Sequence, residues 1–559
     1  MDTHIGVVDQ AIILIYFVFV IGVGYFLKKQ MVSSEDFFLA GHRIPSWVTG
    51  LAFISANLGA IEVMGMAANG VQYGIMTAHF YWLGAIPAMV FLAIFMMPFY
   101  YGSKVRSVPE YLKLRFNEPT RALNAISFAL MTVLMSGINL YAMASVFELL
   151  LHWDMNGSIM VAAGVVLAYT MLGGLTSSIY NEVLQFFLIV FGLLPIAILG
   201  LWKYGGFSGL AKALPNPQFM HLWTGAATGA NPMGVDWLGM VSGLGFVLSF
   251  GYWCTDFLVI QRALAAENLP AAQRTPLIAA FPKVLFPILT VLPGLLAILM
   301  VKGIGSNNTN LSPNMAMPLL LCQLYPTGML GVGLTAMLAS FMSGMAGNVT
   351  AFNTVWTYDL YQSYIAKDKT DAHYLWMGRV ATAAGIVISV GTAYLVMHFA
   401  SIMDYMQLIF SFFNAPLFAT FLLGMFWKRT SPWAAFWGLL IGTFSSMAHY
   451  FLTCIGTKPA EIDQILMGMH MSPTGLHVFT YPSEMAGNFW RATTAWTCCF
   501  IATVLISFIT KPKPESELTG LCWGFSKEIE KLPLPWYKQP VVLGAIVLVS
   551  TVILNLVFW

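Results

Sequence analysis

The sequence predicts an all-α integral membrane protein with about fourteen membrane-spanning helices and both termini on the outer side. Two observations lead to this fold class. Of the 559 residues, 58% are hydrophobic and only 9% are charged, whereas a soluble domain carries roughly 25% charged residues. The basic residues, in addition, collect in alternate loops between long apolar runs. Lipid is therefore the expected solvent for most of the chain, and the expected location is the plasma (inner) membrane.

Fourteen apolar runs are candidate spans, since a helix needs roughly 20 apolar residues to cross the hydrocarbon. In chain order they lie near Ile12–Leu27, Trp47–Met66, Ile75–Phe99, Ala122–Leu151, Ile159–Leu172, Val183–Leu201, Trp237–Ile260, Ile278–Met300, Gly328–Tyr358, Val380–Phe399, Tyr405–Trp427, Trp433–Ile455, Phe489–Ile509 and Val541–Phe558. The fifth run is the shortest. The first lacks a basic segment before it and a cleavage site after it, so we expect a retained helix and not a signal peptide.

Positive charge tests this count independently. With the N-terminus outside, 21 of the 26 Lys and Arg residues fall on the inner side and 5 on the outer side. Cytoplasmic loops of membrane proteins carry an excess of Lys and Arg, and the loss of one span would invert every later loop. The longer loops Trp202–Asp236, Lys302–Thr327 and Gly456–Asn488 then lie outside. The net charge of +2 gives no reason to expect a nucleic-acid partner.

Two of the predicted spans contain polar or glycine interruptions at comparable places. The second has Ser55-Ala56-Asn57-Leu58-Gly59 in its middle, and the seventh has Gly243-Leu244-Gly245 followed by Ser249-Phe250-Gly251. The two spans are five apart, so they run in opposite directions. Broken helices at matching positions of two inverted halves indicate the binding site of a transporter. Glycines that only permit close helix packing are the alternative, and for a matched pair we favour the binding site.

Six short stretches, in this order and spacing, carry a family resemblance. They are Glu35-Asp36-Phe37-Phe38-Leu39-Ala40-Gly41, Ser55-Ala56-Asn57, Val108-Pro109-Glu110-Tyr111-Leu112, Gly173-Gly174-Leu175, Gln261-Arg262-Ala263-Leu264-Ala265-Ala266 and Phe426-Trp427-Lys428-Arg429. Together they resemble the sodium:solute symporter family, in its sodium/sugar (glucose/galactose) cotransporter branch. The resemblance implies a LeuT-type fold, in which five spans are repeated inverted as the next five. It predicts a single transporter domain, with a leading helix at 12–27, repeats at 47–201 and 237–427, and three additional helices at 433–558.

The same resemblance implies a sodium site. The main-chain carbonyls of Ser55, Leu58 and Ser340 and the hydroxyl of Ser343 fall on the family's ligand positions, and oxygen is the ligand that a hard cation prefers. Gly344 stands where the family usually has a second serine, so one oxygen is missing. Glu182 is expected to help the cation leave at the inner mouth of span six. The spacing of small residues from Ser340 to Gly347 also matches the pattern of packed membrane helices, which is the alternative interpretation.

The resemblance further implies a solute site, which needs hydrogen-bonding groups and an apolar face for a sugar ring. The matching positions are Glu62, Tyr81, Ser136, Ser249, Tyr252, Trp253, Lys283 and Gln407. Tyr252 corresponds to an aromatic residue that closes over the solute from the inner side. Glu62, Tyr81 and Ser249 differ from the usual choices of sugar binders. Glu62 is nevertheless the strongest single candidate, because a carboxylate at membrane depth is expensive and lies just past the break in span two.

The remaining acids within or near the spans are expected to have other roles. Glu148, Asp359 and Asp404 lie near span ends, where they could reach water. Asp256 is expected to cap the inner end of span seven. If a proton replaced sodium as the coupling ion, Glu62, Glu182 or Asp256 would have to carry it.

The predicted function is secondary active transport by alternating access: symport of a small polar solute, a sugar in first place, with sodium as the coupling ion, no organic cofactor and no enzymatic activity. An amino acid, a carboxylate or a polyol is the alternative solute. A channel would need a filter motif, and a membrane enzyme would need paired histidines or a nucleophile near a base; neither pattern occurs. A sensor is expected to continue into an output domain, whereas the last stretch before Trp559 is apolar. The oligomeric state is left open.

Overall fold

The computed structural model describes residues 5–28, 37–38, 40–223, 231–305, 311–399, 401–454, 479, 481–525 and 534–559. Residues 456–478 and 480 of the predicted outer loop Gly456–Asn488 lie outside these ranges, as do Glu35, Asp36 and Leu39 of the first family-like stretch.

The described residues form a succession of helices, numbered here in chain order. They are α1 (Val7–Lys28), α2 (Ser46–Asn57), α3 (Ile61–Ala78), α4 (Phe80–Gly102), α5 (Val108–Arg115), α6 (Glu118–Leu151), α7 (Met155–Tyr204), α8 (Gly206–Ala213), α9 (Trp237–Thr255), α10 (Phe257–Leu264), α11 (Leu269–Met300), α12 (Ala316–Leu324), α13 (Met329–Ile365), α14 (Asp371–Val396), α15 (Ile402–Phe426), α16 (Pro432–Cys454), α17 (Glu484–Ile509) and α18 (Pro540–Val557). Short 3₁₀ turns occur at Ala40–His42, Pro217–Met220, Pro313–Met315, Glu515–Glu517 and Trp536–Lys538.

Each of the fourteen predicted spans coincides with one of these helices or a part of one. Within the described ranges, ten helices are long and apolar enough to cross a membrane, and the pair α2–α3, bent by 62°, makes an eleventh. The other three predicted spans fall on α1, on the first part of α7 and on α16. The apolar stretches in α1 and in the first part of α7 are shorter, Val7–Val23 and Met155–Ala168. The count of fourteen and the outer position of both termini stay predictions.

A glycine separates the fifth and sixth predicted spans inside α7. Gly174 has φ 53° and ψ −160°, a backbone conformation that is essentially restricted to glycine. The helix is therefore interrupted here, and the apolar segment Gly174–Tyr204 continues from it in a new direction. This break lies within one of the family-like stretches, Gly173 to Leu175.

The break predicted in the second span is confirmed, and the break in the seventh lies later than predicted. Helix α2 ends at Asn57, Leu58 has the non-helical ψ of 52°, and α3 begins at Ile61. In the seventh span the chain stays helical through the glycine-rich stretch and leaves the helix only at Asp256, where ψ is 119°. Asp256 then caps α10 by accepting a 2.9 Å hydrogen bond from the Leu258 amide.

The glycines of α9 therefore serve packing, which was the alternative interpretation. A methyl group built on Gly243 would lie 2.6 Å from Cβ of Phe489, and one built on Gly251 would lie 3.0 Å from the carbonyl oxygen of Asn414. Small residues allow helices to approach this closely in a membrane. Both contacts form while α9 stays helical.

Helix α13 lies at the centre of the packing. Of the most apolar 18-residue segment of α13, 89% is buried, and the helix contacts α1, α2, α6, α7, α10 and α14. The most apolar 18-residue segments of α17 and α18 are only 28% and 17% buried. The leading helix α1 anchors the start of α13, because the buried Asp9 accepts hydrogen bonds from the amides of Gly328 (2.7 Å) and Gly331 (2.6 Å). These amides belong to the unpaired donors at a helix N-terminus, which a carboxylate satisfies well.

One expectation about the acids is wrong. Asp359 does not reach water: it is 2% exposed and lies 2.9 Å from Nε of Arg121, because α13 continues past the predicted end of the ninth span and tucks its last turns against α6. Glu148 is exposed and Asp404 is partly exposed, as expected for residues near span ends.

Candidate functional site

The two interrupted spans share one cavity. Its volume is about 800 Å³, with the open solvent at its mouth included, and residues of α2, α3, α4, α6, α9, α10, α11, α13 and α15 line it. Seven of the eight residues predicted to contact solute line this cavity: Glu62, Tyr81, Ser249, Tyr252, Trp253, Lys283 and Gln407. The eighth, Ser136, is buried outside the lining, although Met135 and Asn139 on the same helix belong to it. A concave site in which a few polar groups converge among apolar and aromatic side chains is typical of small-molecule binding.

An ion pair between Glu62 and Lys283 forms the polar centre of the cavity. Nζ of Lys283 donates to Oε1 of Glu62 at 2.7 Å and to Oδ1 of Asn57 at 2.5 Å. The second carboxylate oxygen of Glu62 accepts a 2.5 Å hydrogen bond from the Tyr81 hydroxyl, which also contacts Thr290 at 2.8 Å. Glu62 and Lys283 are 8% and 1% exposed. Since a charge at membrane depth is tolerated when it is paired, this contact explains how Glu62 can lie there.

Three aromatic rings surround the Lys283 ammonium. Its nitrogen lies 5.0 Å from the ring centroid of Tyr81, 4.8 Å from that of Trp253 and 5.3 Å from that of Phe286. Each such contact contributes about 0.5–2 kcal/mol, more where water is excluded. The Glu62–Lys283 pair has no net formal charge, and the other Asp, Glu, His, Lys or Arg among the described lining residues is Asp256. The cavity is therefore polar, without a surplus of positive charge.

Tyr252 connects the two interrupted spans across the cavity. Its hydroxyl accepts a 3.1 Å hydrogen bond from Nδ2 of Asn57, the last residue of α2. Its ring stacks on Phe410 of α15, with centroids 5.1 Å apart and planes 21° apart. The neighbouring Trp253 stacks on Phe53 at 5.7 Å and 24°. Two ring systems are thus fixed at the cavity wall by packing that does not involve a solute.

Gln407 offers an acceptor that the protein does not use. Its Nε2 makes only a weak 3.7 Å contact with Sδ of Met403, and its buried Oε1 is without a hydrogen-bond partner among the described residues. A buried polar atom without a partner costs about 1–3 kcal/mol. A hydroxyl group brought by a solute could satisfy this oxygen, which faces the same cavity.

The predicted sodium ligands also lie together, where α2 ends against α13. The Ser340 hydroxyl donates to the carbonyl of Leu58 at 2.6 Å, and the Ser343 hydroxyl donates to the carbonyl of Ser55 at 2.9 Å. The side-chain oxygens of Ser55 and Ser343 are 3.2 Å apart. All four residues are fully buried. This group of carbonyl and hydroxyl oxygens fits a hard cation, which would replace the hydroxyl protons as the partner of the carbonyls.

Gly344 has a packing reason for lacking a side chain. A methyl group built on it would lie 2.8 Å from Cα of Gly59 and 2.8 Å from Oδ1 of Asn139. The two glycines let α13 touch the break between α2 and α3. Of the two alternatives weighed for this stretch, the packing role is seen at Gly344, and sodium binding at Ser340 and Ser343 stays a prediction.

The chain matches the model of the sodium:solute symporter family over residues 37–442. This match covers well over half of its length. The chain belongs to the sodium:solute symporter family. It is accordingly a multi-pass membrane protein that couples the symport of a small solute to sodium, and it is not an enzyme.

Curated relatives of this symporter match nearly its whole length. Sodium/myo-inositol cotransporter 2 of Oryctolagus cuniculus is 29% identical, with 94% of this chain and 81% of the relative covered. Sodium/glucose cotransporter 1 of the same species is 28% identical, with 94% and 82% covered. Sodium/glucose cotransporter 4 of Danio rerio is 27% identical, with 95% and 83% covered.

A solved structure confirms the fold class of the symporter. A Na⁺-coupled sialic acid symporter in a substrate-bound outward-open state superposes with a TM-score of 0.73 at 19% identity, with 91% of this chain and 99% of that chain covered. The all-α, LeuT-type architecture is therefore correct. The division into repeats at 47–201 and 237–427, with additional helices at 433–558, stays a prediction.

Glu182 of the symporter is engaged in a second buried ion pair. Nη2 and Nε of Arg262 donate to its two carboxylate oxygens at 2.5 and 3.2 Å, and the Ser178 hydroxyl donates to it at 2.7 Å. Both side chains of the pair are fully buried. Arg262 also reaches Thr350 of α13 at 3.4 Å, two turns beyond Ser343. Whether Glu182 helps sodium leave stays a prediction, and any such role requires Arg262 to release the carboxylate.

Sequence reasoning missed the roles of three asparagines. Asn57 entered the prediction only as part of a family-like stretch, yet its side chain bonds both Lys283 and Tyr252. Asn139 and Asn348 also line the cavity, and Nδ2 of Asn348 donates to the carbonyl of Gly344 at 2.9 Å. The available signal was an amide side chain inside an apolar run.

Proposed function

We propose that this symporter carries a neutral polyhydroxyl solute, a sugar or a cyclic polyol, together with sodium. The observation that supports this most directly is the internally balanced Glu62–Lys283 pair in the cavity. Each charge already has its counter-charge, so a neutral solute can bind beside the pair without leaving a buried charge unpaired. The names of the relatives, which include glucose and myo-inositol cotransporters, favour the same class of solute.

A charged solute fits the cavity less well. A carboxylate would have to take Lys283 from Glu62 and leave the Glu62 anion unpaired, and loss of one partner from a buried pair is strongly destabilising. The Asp256 carboxyl in the lining adds further repulsion for an anion. Glu62 and Asp256 therefore disfavour a carboxylate as the solute. Neither disfavours a solute whose polar groups are hydroxyls.

The cavity supplies the contacts that a polyhydroxyl ring requires. The Glu62 carboxylate and the free Oε1 of Gln407 can accept hydrogen bonds from hydroxyls, and the ammonium of Lys283 can donate them. The rings of Tyr252 and Trp253 offer apolar surface for the face of a sugar. Solute hydroxyls would extend the existing network of Glu62, Lys283 and Asn57, and would not need to create a new one.

Sodium is proposed to bind at the adjoining oxygen cluster. Its ligands would be the carbonyls of Ser55, Leu58 and Ser340 and the hydroxyl of Ser343. Two of these carbonyls now accept serine hydroxyl protons, which marks them as acceptors not fully used by the helix. Carbonyls of unwound helix coordinate Na⁺ in transporters of this architecture.

Counterflow in proteoliposomes tests the proposal. Purified protein would be loaded with unlabelled solute and given labelled glucose, galactose, myo-inositol, alanine or lactate outside, with and without sodium. Counterflow of at least one of the three neutral polyhydroxyl compounds, dependent on sodium and absent for lactate, is the expected result. Sodium-dependent counterflow of alanine or lactate, and of none of the polyhydroxyl compounds, would overturn the proposed solute class.

A further inference from the structure

A buried asparagine of α6 contacts the break between α2 and α3, which also contains Leu58 of the oxygen cluster. Asn139 of α6 is 3% exposed. Its Oδ1 accepts a 2.9 Å hydrogen bond from the amide of Ala60, and its Nδ2 donates to the carbonyl of Met135 at 3.3 Å. The second contact holds the amide group in place on its own helix, so the oxygen is directed at the break between α2 and α3.

The oxygen of Asn139 lies between the two glycines that let the helices meet. A methyl group built on Gly59 would lie 2.7 Å from this oxygen, and one built on Gly344 would lie 2.8 Å from it. Gly59 directly follows Leu58, and Gly344 directly follows Ser343, so the oxygen lies beside the chain neighbours of two proposed sodium ligands. An amide oxygen has two lone pairs, and among the described residues one of them is used, by Ala60.

We propose that Oδ1 of Asn139 is a further ligand of the sodium ion, in the space that a serine side chain at position 344 would otherwise fill. This inference rests on the proposed sodium site. It supplies the oxygen that the sequence lacks there, and it assigns a neutral amide oxygen, a ligand type that hard cations accept.

The charge distribution of the break gives Asn139 a second reason to be there. Ala60 is at the start of α3, where unpaired amides carry partial positive charge that would repel a cation. The oxygen of Asn139 accepts the hydrogen bond of the Ala60 amide and so satisfies this donor at the break. A residue without an oxygen at position 139 would remove a ligand and expose the cation to the helix end at the same time.

The test compares Asn139→Ala and Asn139→Asp with the wild type in proteoliposomes. Initial uptake of the solute identified by counterflow would be measured against sodium concentration, and binding of radioactive sodium to purified protein would be measured directly. We expect Asn139→Ala to raise the sodium half-saturation concentration fivefold or more, a larger factor than its effect on solute half-saturation at saturating sodium. Asn139→Asp keeps an oxygen and adds negative charge, so its sodium half-saturation should equal or fall below that of the wild type.

A matched control lies on the same helix. Asn124→Ala removes the same group from a buried position fifteen residues earlier in α6, away from the break, and should leave sodium half-saturation unchanged. If Asn139→Ala binds sodium as the wild type does, or if Asn139→Asp weakens sodium as much as Asn139→Ala does, Asn139 is not a ligand. Either result leaves sodium coupling intact, whereas uptake by the wild type that ignores sodium would refute the sodium site itself.

Discussion

Replacing Glu62 by glutamine is expected to destabilise the protein, because it leaves the Lys283 ammonium without its counter-charge. The two charged atoms are 2.7 Å apart and the side chains are 11% and 1% exposed. At an effective dielectric constant of about 20, charges at this separation attract by about 6 kcal/mol before dehydration is subtracted. Removing one partner of a buried pair costs about 3–5 kcal/mol. Glutamine keeps an oxygen that Lys283 can bond, so we expect a loss near the lower end, about 3 kcal/mol.

The assay is a double-mutant cycle of wild type, Glu62→Gln, Lys283→Gln and the double variant. Stability is measured by denaturation in detergent, with monodispersity on size exclusion as the control for folding. Each single variant should be less stable than the wild type, and the uncharged double variant should recover part of the loss. The single variants should also change which solutes are carried. If the two substitutions are additive to within about 0.5 kcal/mol, the pair does not stabilise the protein and the reasoning fails.

Three further substitutions and one topology test follow from the structure. Gln407→Ala should raise the half-saturation for solute about fivefold and leave that for sodium unchanged, because one neutral hydrogen bond contributes about 1 kcal/mol; equal effects on both would indicate misfolding. Ser343→Ala should weaken sodium more than solute in the same uptake assay. Gly344→Ser should lower the amount of folded protein, since its Cβ has no room; normal abundance with tighter sodium would contradict this. Tags fused before Met1 and after Trp559 should both be accessible from outside, and opposite sides would mean a miscounted span.

The fold could be predicted from the sequence because lipid imposes a strong pattern on it. Apolar runs of span length and the uneven distribution of Lys and Arg sufficed to locate every helix that meets the membrane criteria. The exact break in the seventh span was less accessible. The glycines at 243 and 251 suggested an interruption of the helix, but they pack against Phe489 and Asn414. These two partners are distant in the chain. Asp256, which does end the helix, looked like a simple cap.

The candidate site was predicted in its members but not in its interactions. Glu62 drew attention as an unpaired acid, and its partner Lys283 lies 221 residues further on. No local pattern could reveal this contact or the bond from Asn57 to Tyr252. The role proposed for Asn139 could not be recognised, because it depends on one glycine at the break and one in α13. Contacts between helices are therefore the part of the site that required the structure.

Consecutive residues of one broken helix serve the two proposed ligands. The Leu58 carbonyl belongs to the sodium cluster and bonds Ser340, whereas the Asn57 side chain points into the cavity and bonds Lys283 and Tyr252. Asn57 is the last residue of α2 and Leu58 the first residue of the break, so their positions are directly linked. A sodium ion that draws the Leu58 carbonyl towards α13 would thereby order Asn57, and with it the centre of the solute cavity. Because linkage is reciprocal, a solute that orders Asn57 must strengthen sodium binding by the same factor. With the two ligands bound as proposed, the break would allow one to raise the affinity for the other without direct contact between them.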